Sequence, residues 1–82
     1  MYNKNMERFV ENRKIKIREQ DEYITLQNAL KIENIIQTGG MAKLFLSENN
    51  VLVNGIKEER RGRKLYPGDI VNFNQVSIEI KK

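Results

Sequence analysis

The sequence predicts an α+β fold in which two short helices pack on a small, mostly antiparallel sheet. Three observations carry this prediction. Residues Lys14 to Arg18 alternate basic and aliphatic side chains, the period of a half-buried strand with Ile15 and Ile17 facing inward. Apolar residues recur at helical spacing in two places in the middle of the chain. Turn-forming residues then divide the C-terminal half into short apolar runs typical of strands.

The residues before the first predicted strand are set apart from the rest. Met1 to Arg13 is expected to be an N-terminal extension, either a short amphipathic helix carrying Met6, Phe9 and Val10 or a frayed end. Met6 is also a candidate translation start. The remainder contains no internal repeat, low-complexity tract or long linker, so residues 14–82 are predicted to form one domain.

Two short helices are predicted, each after a threonine that suits the N-cap position. Thr25 precedes the first helix. Thr38 precedes the second, which is expected from Gly39 to about Glu48 and is ended by Asn49, a residue that tolerates left-handed geometry. Lys43 is expected to face solvent because it lies off the helical stripe that we predict to be buried. That stripe consists of Met41, Leu44, Phe45 and Glu48.

Turn signals organise the C-terminal half. The strand Val51 to Val53 is followed by Asn54-Gly55, a pair that favours a two-residue hairpin. The segment Lys57 to Lys64 is too charged for a core strand and is expected to be an exposed loop or irregular edge. Residues Tyr66 to Asp69 carry proline and glycine in the order of a type II turn. Two more strands, joined at Asn74-Gln75, are predicted at Ile70 to Phe73 and Val76 to Ile80.

Composition disfavours several kinds of chemistry. The 82 residues contain neither cysteine nor histidine, which removes disulfides, thiolate metal sites and the usual general base near neutral pH. We therefore expect no catalytic residue, no cofactor and no metal, and an enzyme that uses Glu58 or Asp69 is the least favoured alternative. The small core of such a short chain favours a surface function. No apolar run is long enough to span a membrane, and the cytoplasm is the predicted location.

The net charge of +4 is distributed unevenly. Residues 57–64 hold five basic and two acidic side chains, and residues 1–20 hold six basic and three acidic ones. A charge run of this kind most often forms only a solvated face. Clustered arginines can also grip phosphate oxygens, so an anionic partner is the competing interpretation. The basic patch could extend to Lys14, Lys16 and Arg18.

A resemblance to a known family lies in the middle of the chain. Two segments carry it: TGGMAKLFLSENNVLVNG at residues 38–55 and YPGDIV at residues 66–71. This order of helix, strand, Val-Asn-Gly turn and Pro-Gly-Asp turn resembles the S4 domain, an RNA-binding module named for a small-subunit ribosomal protein. Its helix, strand and turn form what is called the αL motif. The GGMAK and RRGRKL segments are similar to a subfamily of short, stand-alone bacterial members.

The resemblance implies a set of RNA-binding residues. The family usually has an N-capping Ser or Thr, then an arginine, an alanine and a second basic residue; here Thr38, Ala42 and Lys43 match, while Gly39 stands at the arginine position. The amides of Gly39 and Gly40 could replace that contact with a phosphate, or the glycines could only permit a tight start to the helix. The predicted RNA-binding residues are Thr38, Gly39, Gly40, Lys43, Asn54, Lys57, Arg60, Arg61, Arg63 and Lys64.

These features together predict a monomeric, non-catalytic protein that binds structured RNA, with ribosomal RNA or the ribosome as a candidate target and no membrane partner. Phosphate contacts are expected to dominate, because few aromatic side chains are expected at the surface for base stacking. Glu58 and Glu59 are expected to pair with the arginines or to repel badly placed phosphates. Two alternatives stay open: a module that docks an acidic protein partner and, less favoured, a duplex-DNA binder.

Overall fold

The computed structural model describes residues 11–82, and the predicted helical or frayed N-terminus lies almost wholly outside them. The described chain forms two helices, α1 (Leu26–Ile32) and α2 (Gly39–Glu48). Its seven strands are β1 (Glu11–Lys16), β2 (Ile24–Thr25), β3 (Leu52–Val53), β4 (Ile56–Lys57), β5 (Lys64–Leu65), β6 (Ile70–Phe73) and β7 (Val76–Lys81).

Five strands form one sheet in the order β1-β7-β6-β3-β4. The pairing of β1 with β7 is parallel, with Glu11 opposite Val76 and Lys16 opposite Lys81. The other three pairings of this sheet are antiparallel. Strands β2 and β5 form a separate antiparallel ladder of two residues each. The predicted α+β fold with a mostly antiparallel sheet is confirmed.

The first strand keeps the predicted inward faces but has different bounds. Ile15 and Ile17 are 4% and 2% exposed, as their alternation with basic residues predicts. The strand begins at Glu11 instead of Lys14 and ends at Lys16, and the Ile17 N–H still donates to the Lys81 carbonyl at 2.8 Å. Residues 11–13, which the sequence pattern places in the N-terminal extension, therefore belong to the sheet.

The core joins α1 to the sheet. On the helix side, Leu26, Ala29 and Leu30 are completely buried, and the sheet contributes side chains such as Ile78 and Ile80. The predicted N-cap of α1 is confirmed, since the Thr25 hydroxyl accepts a hydrogen bond from the Asn28 N–H at 3.2 Å. Such a cap satisfies one of the backbone donors that the first helical turn leaves without a partner.

The second helix has the predicted bounds but buries a different face. Ala42 and Leu46 are completely buried, whereas Met41 and Leu44 are 42% and 59% exposed. We predicted that Met41, Leu44 and Glu48 lie on the buried stripe. All three are exposed, so this part of the prediction is wrong. The small side chain of Ala42 offers a reason, because it lets the helix approach its neighbours closely where a longer side chain would hold it away.

The ends of α2 show one confirmed and one incorrect expectation. Thr38 occupies the N-cap position in extended geometry, although within residues 11–82 its side chain makes no capping hydrogen bond. Asn49 is also extended, with φ of −120°, and not left-handed. Its backbone N–H and its side-chain amide both donate to the Phe45 carbonyl, at 3.0 and 2.9 Å, and together close the end of the helix.

The three predicted tight turns are confirmed. Asn54 and Gly55 have φ of 52° and 85°, as the hairpin between β3 and β4 requires. In the second turn Gly68 has φ of 98° and the Asp69 N–H donates to the Tyr66 carbonyl at 2.9 Å, as in a type II turn. Asn74, with φ of 51°, turns the chain between β6 and β7. Left-handed geometry favours glycine and asparagine at all these positions.

Candidate functional site

The basic segment Lys57 to Lys64, which we call the basic loop, is organised around a buried acidic residue. The Glu58 side chain is only 8% exposed. Its Oε2 accepts hydrogen bonds from the Arg60 backbone N–H at 3.0 Å and from Arg60 Nε at 2.8 Å. Its Oε1 accepts from Arg60 Nη2 at 2.9 Å and from Arg63 Nη1 at 2.8 Å. The expectation that this whole segment is exposed is therefore wrong at Glu58, while its expected pairing with arginines is confirmed.

These contacts explain how a carboxylate can be buried in the basic loop. The pKa of Glu58 is lowered to about 2, first by the side-chain hydrogen bond from Arg60, with burial acting in the opposite direction. The same bond raises the pKa of Arg60. Bidentate pairing of this kind is the strongest form of a charge-assisted hydrogen bond. The carboxylate therefore stays ionised at neutral pH and fixes the orientation of two guanidinium groups.

The basic loop is attached to the beginnings of both helices. The Arg63 carbonyl accepts from the Leu26 N–H at 2.8 Å, and the Arg61 carbonyl accepts from the Gln27 N–H at 2.9 Å. In the opposite direction, Arg61 Nη1 donates to the Gly39 carbonyl at 3.1 Å, across 22 residues of sequence. The loop carbonyls thus satisfy first-turn donors of α1, while the Arg61 side chain reaches the first residue of α2.

Gly39 stands where the resemblance to the family leads one to expect an arginine, and the structure leaves little space for a side chain there. A Cβ placed on Gly39 would lie 3.1 Å from Gln27 Nε2 and 3.3 Å from Gln27 Cδ. Any larger residue at this position therefore requires the Gln27 side chain to shift. A cation from the basic loop, Arg61, nevertheless lies against this residue of α2.

Lys43 lies close to this contact. It is exposed, as predicted, and follows Gly39 by four residues on α2, so both residues lie on the same helical face. Thr38 and Gly40 flank Gly39 and are exposed as well. Five predicted site residues are therefore brought together at the start of α2: Thr38, Gly39, Gly40, Lys43 and Arg61.

The remaining lysines of the basic loop differ in their surroundings. Lys57 lies on β4, at the edge of the sheet, with its Nζ 3.7 Å from a carboxylate oxygen of Glu59. Lys64 belongs to β5, and its Nζ lies 5.0 Å from the centre of the Tyr23 ring. Among the described residues, Lys43, Arg61 and Lys64 take part in none of the ion pairs.

Asn54 is held in a junction between two turns. Its Nδ2 donates to Asp69 Oδ1 at 2.9 Å, and its Oδ1 accepts from the Ile70 N–H at 2.9 Å. The other oxygen of Asp69 accepts from the Tyr66 N–H at 2.8 Å. The side chain therefore has a structural role in joining the Asn-Gly turn to the Pro-Gly turn. Through Tyr66 this junction is connected to the end of the basic loop.

Two features of this surface were not predicted from the sequence. One is the burial of Glu58, which looks equivalent to Glu59 in a run of charged residues. The other is the proximity of Tyr23 and Tyr66, whose ring centres are 5.7 Å apart. Each tyrosine adjoins one of the two short strands that pair as β2 and β5. That pairing joins residues about forty positions apart, so local patterns do not indicate it.

Two other kinds of feature are absent from the described residues. No group of three or more acidic residues is placed so that it could hold a metal ion in residues 11–82. In the same part of the chain, no helix has the length and apolar character needed to cross a membrane.

Comparison with known proteins agrees with the resemblance seen in the sequence. A family model described as the S4 domain matches residues 11–81. A Bacillus subtilis (strain 168) protein named "Probable ribosome maturation protein RlbA" is 62% identical over 52 residues, which are 63% of this chain and 73% of that protein. An Escherichia coli (strain K12) protein named "Putative RNA-binding protein YbcJ" is 31% identical over 58 residues, 71% of this chain and 83% of that protein.

No solved structure matches the chain. The assignment to the subfamily with GGMAK and RRGRKL segments stays a prediction. The family match, in contrast, begins with β1 and ends with the last residue of β7. The chain therefore belongs to the S4 domain family.

Proposed function

We propose that this protein binds structured RNA through the surface formed by the basic loop and the start of α2. The observation that carries the proposal is the hydrogen bond from Arg61 to the Gly39 carbonyl, which joins two sets of predicted RNA-binding residues into one surface. Membership of the S4 domain family supports the choice of RNA as the anionic partner. So does the name of the Escherichia coli relative.

The cations of this surface have two different roles. Arg61, Lys43 and Lys64 contact phosphates directly, because among the described residues none of them is committed to a carboxylate. Arg60 and Arg63 spend part of their donor capacity on Glu58. They shape the loop and present their outer N–H groups to the RNA. Each phosphate contact releases counterions, so binding weakens as the salt concentration rises.

The helix start adds uncharged donors to the same surface. The amides of Gly39 and Gly40 belong to the first turn of α2, where backbone N–H groups have no partner within the helix. They donate to a phosphate that Arg61 and Lys43 attract. Thr38 adds a hydroxyl beside them. Lys57 extends the positive potential along β4, and Asn54 contributes by fixing the two turns behind the loop.

We further propose that the RNA is ribosomal RNA of a maturing ribosomal particle. The Bacillus subtilis relative is named for ribosome maturation, and its 62% identity is high enough that surface residues are expected to be shared. A folded target also suits a rigid surface made of a helix start and a braced loop, which fits backbone shape better than a flexible single strand.

Binding of RNA hairpins, duplex DNA, single strands and an acidic peptide over a range of salt concentrations tests the proposal. Arg61→Ala and Lys43→Ala are each expected to weaken hairpin binding several-fold and to lower the slope of log affinity against log salt by about one. Lys31→Ala is the matched control, since Lys31 is an exposed lysine at the far end of α1. It is expected to leave affinity and slope nearly unchanged.

Three results would count against this function. An equal loss of hairpin affinity in all three variants would show that binding depends only on the net charge of the protein. Preference for duplex DNA or for the acidic peptide over the hairpins would favour one of the alternative partners. Unchanged binding in Arg61→Ala and Lys43→Ala would place the RNA on another surface.

A further inference from the structure

Two half-exposed tyrosines lie at the edge of the basic loop. Tyr23 and Tyr66 are 37% and 45% exposed, with ring centres 5.7 Å apart and ring planes inclined by 50°. Tyr66 lines an open groove of about 520 Å³, together with Arg60, Gly62, Arg63 and Lys64. Aromatic area is thus kept at the surface among positively charged side chains, where burial in the core does not account for it.

Strand pairing fixes the backbone beside both tyrosines. Tyr23 immediately precedes β2 and Tyr66 immediately follows β5, and Ile24 pairs with Leu65 in the ladder between these strands. The Tyr66 N–H is also bonded to Asp69, which fixes the turn that follows. The backbone that carries the two rings is therefore fixed before any ligand arrives, which reduces the entropy lost when a ligand stacks on them.

The cations around the rings suit a nucleotide. Lys64 Nζ lies 5.0 Å from the centre of the Tyr23 ring, within the range of a cation–π contact. Arg60 and Arg63, both oriented by Glu58, lie along the same groove. A nucleotide offers a flat base for the aromatic ring and a phosphate for the cations at a short distance from it. Stacking of this kind depends little on which base is present.

We propose that this groove is a subsite for one unpaired nucleotide of the bound RNA, whose base stacks on Tyr66 while its phosphate lies against Lys64 and Arg63. The subsite rests on the proposed RNA binding and specifies it: the preferred target is a helix that carries a bulged or flanking unpaired nucleotide. The expectation that phosphate contacts dominate is thereby extended by one stacking contact, because the fold brings two exposed tyrosines together.

The test compares three RNA hairpins that differ at one position: one with a bulged adenosine, one with an abasic bulge and one fully paired. Wild-type protein is expected to bind the adenosine bulge about tenfold more tightly than the other two, the typical effect of one base stacked on an aromatic ring. Tyr66→Ala is expected to remove this preference without changing the affinity for the paired hairpin or the salt slope. Tyr66→Phe keeps the ring and is expected to keep the preference.

Tyr66→Leu is the second variant, because it retains apolar bulk beside Tyr23 but offers no aromatic face. It is expected to behave like Tyr66→Ala, and thermal unfolding of each variant shows whether the fold is retained. The subsite is overturned if Tyr66→Ala or Tyr66→Leu keeps the preference for the adenosine bulge, or if either weakens binding of all three hairpins equally. In both cases RNA binding itself stands. If wild-type protein binds none of the hairpins, the proposed function fails together with the subsite.

Discussion

At the scale of single residues, Glu58 decides the form of the basic loop. Five cations within eight residues repel one another and would leave a flexible loop. The buried carboxylate offsets part of this repulsion by bonding to Arg60 and Arg63. The sequence could predict that glutamate pairs with arginine in this loop, and this is confirmed for Glu58 but wrong for Glu59, which pairs with Lys57. It could not predict which of them is buried. Glu58 and Glu59 are identical neighbours, and they differ only in the direction in which each side chain points.

The pKa of Glu58 leads to a pH-dependent prediction. Because this pKa falls from 4.5 to about 2 on folding, the unfolded chain binds more protons between these values. The stabilising contribution is therefore complete above about pH 5 and is lost as the pH falls toward 2. Glu58→Gln is expected to lower the free energy of unfolding by about 2 kcal/mol at pH 7. Urea unfolding is expected to show the two proteins converging near pH 2.

The neighbouring residue supplies the control for this prediction. Glu59 is exposed and, within residues 11–82, its only ion pair is with Lys57 at 3.7 Å. Exposed pairs of this kind contribute little to stability. Glu59→Gln is therefore expected to change the unfolding free energy by less than about 0.5 kcal/mol at any pH. Equal effects of the two substitutions would show that the carboxylate contacts of Glu58 do not stabilise the folded state.

At the scale of structural elements, the turns were predictable and the packing of α2 was not. Asn54-Gly55 and the Pro-Gly turn need left-handed backbone geometry, which few residue types tolerate. The residue types at these positions are therefore enough to locate the turns. The apolar residues of α2 leave the choice of face open, since Met41 and Leu44 repeat at helical spacing much as Ala42 and Leu46 do. Which pair is buried depends on contacts with the rest of the fold, and those contacts are not local in sequence.

Two asparagine turns permit a matched test of the junction behind the basic loop. Asn54 and Asn74 have almost the same φ, 52° and 51°, so replacement by alanine imposes a similar backbone strain on both turns. Asn54 also loses its hydrogen bonds to Asp69 and Ile70. Asn54→Ala is therefore expected to cost about 1 to 2 kcal/mol more than Asn74→Ala in the free energy of unfolding.

Asn54→Gly separates the two contributions to that cost. It removes the hydrogen bonds but relieves the strain, so its effect is expected to fall between those of Asn74→Gly and Asn54→Ala. Thermal or urea unfolding of the four variants provides the measurement. Equal costs for Asn54→Ala and Asn74→Ala would mean that the bonds to Asp69 and Ile70 add nothing to stability.

At the scale of the whole molecule, the parallel pairing of β1 with β7 links the first described residues to the last strand. Alternation in the sequence predicted that a strand lies near Lys14, and the inward faces of Ile15 and Ile17 follow from it. Its partner could not be predicted, because more than sixty residues separate the paired positions. The site depends on the same non-local organisation, since the basic loop meets α2 through the contact of Arg61 with Gly39.

The same pairing predicts that the folded unit includes residues on the N-terminal side of Lys14. Residues 11–13 add three register positions to the sheet, and the Glu11 N–H donates to the Gln75 carbonyl at 2.6 Å. Arg13 also bonds to the carboxylate and the carbonyl of Glu33, both at 3.2 Å, which ties β1 to the end of α1. A chain that starts at Lys14 is therefore expected to be about 1 to 3 kcal/mol less stable than one that starts at Glu11. Urea unfolding measures the difference, and Arg13→Gln in the longer chain isolates the share of the Glu33 contact. If the two chains are equally stable, the folded domain begins at Lys14, as the sequence alternation alone suggests, and the first three residues of β1 contribute nothing to its stability.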